Sequence, residues 1–319
     1  MTSITTSTIG QSSLLHMVRR GDLPSDIRIE TLPCTDATSR PEIAWRTGEP
    51  RLEWFRALLD GSPGLRWIHS DYTGVEDLPL DELAARGILL TTAVGANSRP
   101  IAEWIALALL TASKGLLDFV DRSARAVWDT SIIPVDLVGR RALMLGLGSI
   151  GVETARLLDP FGLRLTAVTR RPRPDPVPGV ERVISDASWL DLLAESDFLI
   201  CTLPLTKRTD GMIGKRELAL LPSHSWLISI SRGAVVDSAA LISRLDAGLL
   251  GGAVLDGHRP EPLPVDHPLW RRPNVLILPH HTWRSPHSRT RFEAMFVRQF
   301  HRWVNIEEMV NVVDYDHGY

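Results

Sequence analysis

Short apolar runs alternate with longer amphipathic ones along most of the chain. Residues 65–70 (LRWIHS) read as a strand, 78–87 (LPLDELAARG) as a helix closed by glycine, and 88–92 (ILLTT) as the next strand. A helical run follows from Pro100 to about Phe119, with the proline in its first turn, where a missing N–H is harmless. Further apolar runs recur at 141–146, 163–168, 198–201, 226–230, 251–256 and 275–278, each separated by a helix-like stretch. Runs of that length at that spacing predict βαβ units, hence parallel sheet with helices on both faces. The alternation starts near residue 27, and the opening MTSITTSTIGQSS is polar. The one proline-rich stretch, RRPRPDPVPGV at 170–180, falls inside one of these units.

Composition changes this picture little, but it excludes several classes. Hydrophobic residues make up 44% and charged residues 23% of 319, with a formal net charge of -3. That is an ordinary globular balance, with no chain-wide basic field for nucleic acid. Cys34 and Cys201 lie far apart, which suggests neither a metal cluster nor a disulfide framework. The polar start lacks the order of a secretory signal. The most apolar long stretch, WIALALLTASKGLLDFV, is broken by Lys114 and Asp118, too short and interrupted to span a membrane. The expectation is a reduced, cytoplasmic protein with no metal, nucleic acid or membrane partner.

The motif LMLGLGSIG carries Gly146, Gly148 and Gly151 between a predicted strand and a helix beginning near Ser149 and Ile150. In that context the first glycine permits a tight turn, the second lets backbone approach a pyrophosphate, and the third brings helix and strand together. The helix N-terminus then offers N–H groups to the phosphates. About 20 residues on, a dinucleotide site that takes NAD places an acid against the ribose. Here Thr169 is followed by Arg170 and Arg171. Guanidinium groups pair with a 2′-phosphate, so the stretch predicts NADP(H), with NAD(H) as the other option.

Three later motifs place chemistry at predicted strand ends: Arg232 in SISRGAVVD, Glu261 in HRPEPLPVDHPLW and His280 in VLILPHHTW. The carboxyl ends of parallel strands face the ligand crevice. An arginine, a carboxylate and an imidazole there supply an anion clamp and a charged, oriented proton donor. His281 adjoins His280 and is the alternative donor; His258 is a lesser candidate, and His267 reads as a turn residue. Trp45, Trp54, Trp67 and Trp104 read as packing residues, and Glu103 as structural.

From residue 65 to 286 the chain resembles the D-2-hydroxyacid dehydrogenase family, in particular its glyoxylate/hydroxypyruvate reductase branch. The resemblance rests on TGVEDLPLDELAARGILLTT, NSRPIAEW, the glycine loop, LPLTKRTDGMIG, SRGAVVDSAALISRLDAGLLGGAVLD, EPLPVDHPLW and PHHTW in that order. It implies two domains with the active site between them: a Rossmann-type doubly wound sheet for the cofactor over 99–287, and a flavodoxin-like substrate domain from 1–98 and 288–319. By motif position it implies Arg232 as the substrate-binding arginine, Glu261 as its carboxylate and His280 as its acid/base. Thr73, Gly74 and Val75 correspond to a loop whose amides hold the substrate carboxylate, with Tyr72 and Trp283 candidates for the pocket. Leu203, Pro204, Ile230, Ser231 and Asp256 join the cofactor set, Asp256 near the nicotinamide carboxamide. The chain departs from the family pattern at Ser229, Gly257, His258 and Trp283.

The expected reaction is NADPH-dependent reduction of a small 2-oxo acid to its D-2-hydroxy acid, by a homodimer if the family's habit holds. Two other readings stand beside it. One is NAD-dependent oxidation of a hydroxy acid. The other is a dinucleotide-sensing scaffold or corepressor on the same fold, which would need no proton donor.

Overall fold

The computed structural model describes residues 2–31, 41–48, 52–170, 175–186 and 188–319. The chain divides into two compact units, one of Met1–Ala96 with Pro286–Tyr319 and the other of Asn97–Ser285.

The first unit contains β1 (Ser3–Thr6), α1 (Thr8–Arg20), β2 (Arg28–Thr31), β3 (Ile43–Arg46), α2 (Leu52–Gly61), β4 (Trp67–Ser70), α3 (Leu80–Ala85) and β5 (Leu89–Thr92). Its strands form one parallel sheet in the order β2-β1-β3-β4-β5. That is the flavodoxin-like order, with its reversal between β1 and β3. The unit begins earlier than the sequence pattern suggests. The polar opening forms β1 beside the reversal point, with Thr5 and Thr6 fully buried. Thr6 remains compatible with burial because its hydroxyl donates to the Trp45 carbonyl at 2.8 Å, and β-branched threonine suits a strand.

The second unit opens with α4 (Ser98–Lys114) and α5 (Leu116–Ala124). The sequence reads these as one helix; the structure breaks it by 70°. The cause is Gly115, whose φ of 65° lies in the left-handed region that ends helices. No single helix is long and apolar enough to cross a membrane among the described residues. Then follow β6 (Arg141–Leu145), α6 (Ser149–Leu158), β7 (Arg164–Thr169), β8 (Arg182–Ser185), β9 (Phe198–Cys201), α7 (Lys215–Leu220), β10 (Trp226–Ser229), α8 (Ser238–Asp246), β11 (Gly252–Leu255) and β12 (Val275–Ile277). These seven strands are parallel in the order β12-β11-β10-β9-β6-β7-β8, a doubly wound Rossmann arrangement with one added edge strand. Successive residues of each strand enter different cores. Leu143, Leu145, Leu199, Leu227 and Leu255 face one side; Ala142, Met144, Ile200, Ile228 and Val254 face the other. Alternation into two apolar layers is what a sheet covered on both faces requires.

The chain returns to the first unit with α9 (Ser288–Val304). Phe296 and Phe300 on α9 pack with Ile4, Leu14, Ile43, Trp45 and Trp67, and the Phe296 ring stacks on Trp45 at 4.7 Å. The opposite face of that sheet buries Ala44, Leu58, Ile68, Leu83 and Leu90.

Candidate active site

In the second unit, the segments that follow β6, β7, β9, β10, β11 and β12 share the carboxyl edge of one parallel sheet. The glycine turn sits at its centre. Gly146 has a φ of 101°, a conformation that favours glycine, and a Cβ there would lie 2.7 Å from Thr202 Oγ1. Thr202 donates from that hydroxyl to the carbonyls of Leu145 and Gly146, each at 3.1 Å. This ties the Leu203 and Pro204 segment to the turn. A Cβ on Gly151 would lie 2.5 Å from the Gly146 carbonyl oxygen, whereas one on Gly148 would meet nothing within 4 Å. Gly148 caps α6 without a side-chain hydrogen bond, which leaves the first-turn N–H groups of Ser149, Ile150 and Gly151 without a side-chain cap from that position. The pattern fits the cradle of a pyrophosphate.

β7 ends at Thr169, and Arg170 follows it directly, half-buried. Arg171 lies outside the described residues. The far end of this proline-rich loop is pinned to α6: Val177 is buried in the core, and a Cβ on Gly179 would lie 2.2 Å from the Ala155 carbonyl oxygen. Its described end, at Val177 and Gly179, is therefore anchored on the helix whose N-terminus follows the glycine turn. Ile230 and Ser231 follow β10; Ile230 N–H donates to the Cys201 carbonyl at 3.1 Å. Ser231 Oγ lies 3.1 Å from Cys201 Sγ, and burial pushes that thiol up, which keeps it protonated and unreactive.

Arg232 and Glu261 reach this edge on two loops that interlock through glycine. A Cβ on Gly233 would lie 2.0 Å from the carbonyl carbon of His258, and one on Gly257 would lie 2.2 Å from the Ser231 carbonyl oxygen. The sequence shows Gly257 as a departure from the family pattern; the structure gives it a reason, because the neighbouring backbone fills the space a side chain would need.

His280 Nδ1 and Glu261 Oε2 are 3.0 Å apart. The other Glu261 oxygen accepts from His258 N–H at 2.8 Å. Burial raises the Glu261 pKa, but the His258 N–H, the His280 hydrogen bond and the charges of both histidines outweigh it, so the carboxyl sits below its ordinary range. His280 has a φ of 53°, uncommon for a residue with a Cβ although histidine tolerates it better than most. Its N–H donates to the Asp256 carbonyl at 2.9 Å. The buried Asp256 carboxylate accepts from His281 N at 2.7 Å, Thr282 N at 3.2 Å and Thr282 Oγ1 at 2.6 Å. Three of its roughly four acceptor positions thus serve the histidine loop. The exposed His281 contributes its backbone to that loop, and the half-buried Trp283 ring carries the Arg284 guanidinium at 5.3 Å. His267 accepts from Leu269 N–H at 3.3 Å in a turn. Glu103 pairs with Arg99, which also reaches Glu153 on α6.

The first unit places residues 72–75 just after β4. Val75 is buried, Thr73 exposed, and Tyr72 and Gly74 half-buried. The loop starts from a dense polar anchor that the sequence does not reveal. Asp71 N–H donates to the Arg46 carbonyl at 3.0 Å. The Asp71 carboxyl accepts from Trp45 Nε1 at 2.8 Å and from the Thr47 hydroxyl. Burial pushes that carboxyl up to about 6, against those hydrogen bonds and the charge of Arg289. Arg46 lies over the Tyr72 ring at 5.0 Å and pairs with Asp77 at 2.6 Å.

Comparison with known proteins agrees with this geometry. A family model described as D-isomer specific 2-hydroxyacid dehydrogenase, NAD binding domain, matches residues 106–282. A glyoxylate/hydroxypyruvate reductase B from Yersinia enterocolitica is 33% identical over 246 residues, 76% of this chain and 75% of that protein. The crystal structure of a D-isomer specific 2-hydroxyacid dehydrogenase from Xanthobacter autotrophicus Py2, in complex with NADPH and MES, matches with a TM-score of 0.82 at 27% identity, covering 100% of this chain and 99% of that one. An NADPH-dependent glyoxylate/hydroxypyruvate reductase from Sinorhizobium meliloti, solved with NADP and malonate, matches with a TM-score of 0.77 at 25% identity, covering 98% and 97%. A dinucleotide cradle, a carboxylate-paired histidine and family similarity across most of the chain lead to one conclusion: this is an NAD(P)-dependent oxidoreductase, and it belongs to the D-isomer specific 2-hydroxyacid dehydrogenase family.

Proposed function

We propose that the protein uses NADPH to reduce a small 2-oxo acid, of the glyoxylate or hydroxypyruvate kind, to the D-2-hydroxy acid. The observation that carries this reading is the Glu261–His280 pair at 3.0 Å, on the same sheet edge as the glycine turn. Gly146, Gly148, Ser149, Ile150 and Gly151 hold the pyrophosphate. Thr169, Arg170 and Arg171 take the 2′-phosphate, and Leu203, Pro204, Ile230, Ser231 and Asp256 complete the cofactor set. When bound, the reduced nicotinamide supplies the hydride. His280 turns Nδ1 toward Glu261, so Nε2 is the end that delivers a proton to the ketone oxygen. Proton delivery there prevents charge from building on that oxygen. Glu261, ionised, orients the ring and favours its protonated form by opposite charge. Arg232 binds the substrate carboxylate with a planar fork. In the first unit, Tyr72, Thr73, Gly74 and Val75 are the proposed substrate loop, and Trp283 a proposed pocket residue of the second.

The experiment is a panel of 2-oxo acids assayed with NADPH and with NADH, for the wild type and for His280→Ala. Turnover with NADPH is expected, with a loss on the order of 10²- to 10⁴-fold in the variant and NADPH binding retained. Wild-type turnover by the variant would remove His280 from the mechanism and direct the same test to His281. Cofactor binding without turnover of any 2-oxo acid would favour the sensing reading.

We also propose a homodimer. The reading is supported by Val120, Trp128 and Ile133, close in sequence on and just after α5 and 59%, 95% and 86% exposed, since large exposed apolar side chains favour association where they adjoin. Light scattering should give twice the 35.4 kDa chain mass; a monomer would refute it.

A further inference from the structure

The loop after β11 contains a second histidine that the mechanism above does not use. His258 Nε2 lies 2.9 Å from the Leu278 carbonyl oxygen. A carbonyl can only accept, so Nε2 carries the proton and the bond fixes the ring's tautomer. Leu278 is two residues before His280. Its own N–H donates to the Leu255 carbonyl at 2.8 Å, so the strand end is held on both sides of its peptide. The backbone of His258 does a second task, donating to Glu261 Oε1 at 2.8 Å. Glu261 Oε2 then meets His280 Nδ1 at 3.0 Å. The four residues form a closed circuit: His258 backbone to Glu261, Glu261 to His280, His280 along the chain to Leu278, and Leu278 back to the His258 ring.

We propose that His258 is a positioning residue for proton transfer, clamping the Glu261 loop to the strand end that carries His280 and so setting how tightly the two pair. This rests on the reading of His280 as the proton donor. Glu261 and His280 are both partly exposed, with side chains 38% and 36% accessible. An exposed pair of this kind loses much of its coupling to water and to side-chain motion. A third contact that fixes the separation of the two loops removes that freedom. The His258 ring is half-buried beneath the segment it holds. The charged and titratable groups on the described loops around His280 include Glu261, Arg259, His258 and Asp256 after β11, Arg232 after β10, and His281 and Arg284 beside it; Arg259 pairs with Asp210 at 3.5 Å and Arg284 lies over the Trp283 ring. Of these, Asp256 is committed to the 281–282 backbone and the Thr282 hydroxyl. Among the described residues, the His258 ring is the side chain that holds the Leu278 carbonyl.

The test compares His258→Phe, which keeps a ring but loses the donor, with His258→Gln, which keeps an N–H donor within reach of the carbonyl. The first readout needs no turnover: the His280 imidazole is titrated by NMR in the protein without substrate. In His258→Phe its pKa should fall by about half a unit or more as the Glu261 pair loosens, and His258→Gln should restore most of the shift. The second readout is the pH profile of turnover. The high-pH limb of kcat should move down by the same amount in the Phe variant, kcat at neutral pH should fall several-fold, and KM should change less than kcat. An unchanged His280 titration in His258→Phe overturns the proposal. So does a variant that loses stability and activity together with no shift in titration and no recovery in the Gln form, because that is a purely structural role. If the wild type reduces no 2-oxo acid, the functional reading fails while the NMR comparison still decides the clamp.

Discussion

Replacing Gly257 with alanine tests whether the loops carrying Arg232 and Glu261 are locked together. The added Cβ would sit 2.2 Å from the Ser231 carbonyl oxygen, 3.0 Å from Gly233 N and 3.1 Å from Arg232 Cα. Ordinary contact begins near 3.4 Å, so the oxygen must retreat by 3.4 minus 2.2, about 1.2 Å. All three obstacles are backbone atoms, and none can swing aside as a side-chain tip could. The relief must therefore come from moving the segment that presents Arg232. Overpacking of this kind costs about 1–3 kcal/mol. In a unit of this size each kcal/mol lowers Tm by roughly 2–4 °C. The functional effect should be larger, since a misplacement of about 1 Å can cost on the order of 100-fold in rate. Steady-state kcat/KM for the best 2-oxo acid should fall by about that factor. NADPH binding should weaken too, since Ser231 and Asp256 of the proposed cofactor set flank the clash, but by less than kcat/KM, because the 146–151 turn is on a different segment. Gly257→Ala retaining wild-type kcat/KM and Tm would show that the two loops part easily, and the interlocking argument would fail.

Changing Arg170 and Arg171 together to alanine should raise the NADPH dissociation constant by roughly tenfold or more and leave NADH nearly flat, since each charge-assisted contact is worth about 1.5–3 kcal/mol and a decade is 1.4; equal weakening of both cofactors would make the arginines a solvated loop. His69, fully buried and held by desolvation near 3 instead of 6.5, contributes stability that is present above 6.5 and lost as pH falls toward 3. Asp71, raised from 3.8 to about 6, acts in the opposite sense, its contribution being present below 3.8 and lost as pH rises through 6. His69→Phe should therefore gain on the wild type by about 2 kcal/mol in urea unfolding between pH 7.5 and pH 5, and a pH-independent difference would show that the ring titrates as it does in the unfolded chain.

The parts of this molecule legible in sequence are those that follow from local pattern. β6, β9, β10 and β11 are short apolar runs because both faces of their sheet are covered, and Gly146, Gly148 and Gly151 announce their turn by spacing within a strand–turn–helix context. The parts that escape are those decided by distant partners. β1 reads as polar, and only the Trp45 carbonyl, 39 residues away, makes a buried Thr6 hydroxyl acceptable. The helical run from Pro100 to Phe119 reads as one helix, and the positive φ of Gly115 that divides it is not written in the apolar pattern. Asp71 sits openly in HSDYTG, yet its burial depends on Trp45 and Thr47 one strand away.

The PHHTW segment shows both limits at once. Its histidine is visible as a strand-end candidate for proton donation, but its left-handed backbone, with φ of 53°, is not. A residue with a Cβ held in that region costs on the order of 1–3 kcal/mol, and it persists only where its surroundings dictate it. Here they do so through Asp256, whose carbonyl accepts from His280 N–H and whose carboxylate accepts the next two backbone N–H groups and the Thr282 hydroxyl. Hydrogen bonds to a charged carboxylate, at about 1.5–3 kcal/mol each, are sufficient to offset the strain. The resemblance gives Asp256 a place beside the cofactor; the hydrogen bonds give it a prior duty, which is to hold the backbone that aims His280. Ser, Asn or Glu at 256 would each lose part of that set, through lost charge, lost acceptor capacity or altered reach. The aspartate is thus required by the backbone of the proposed proton donor, independently of any part it would play toward the cofactor.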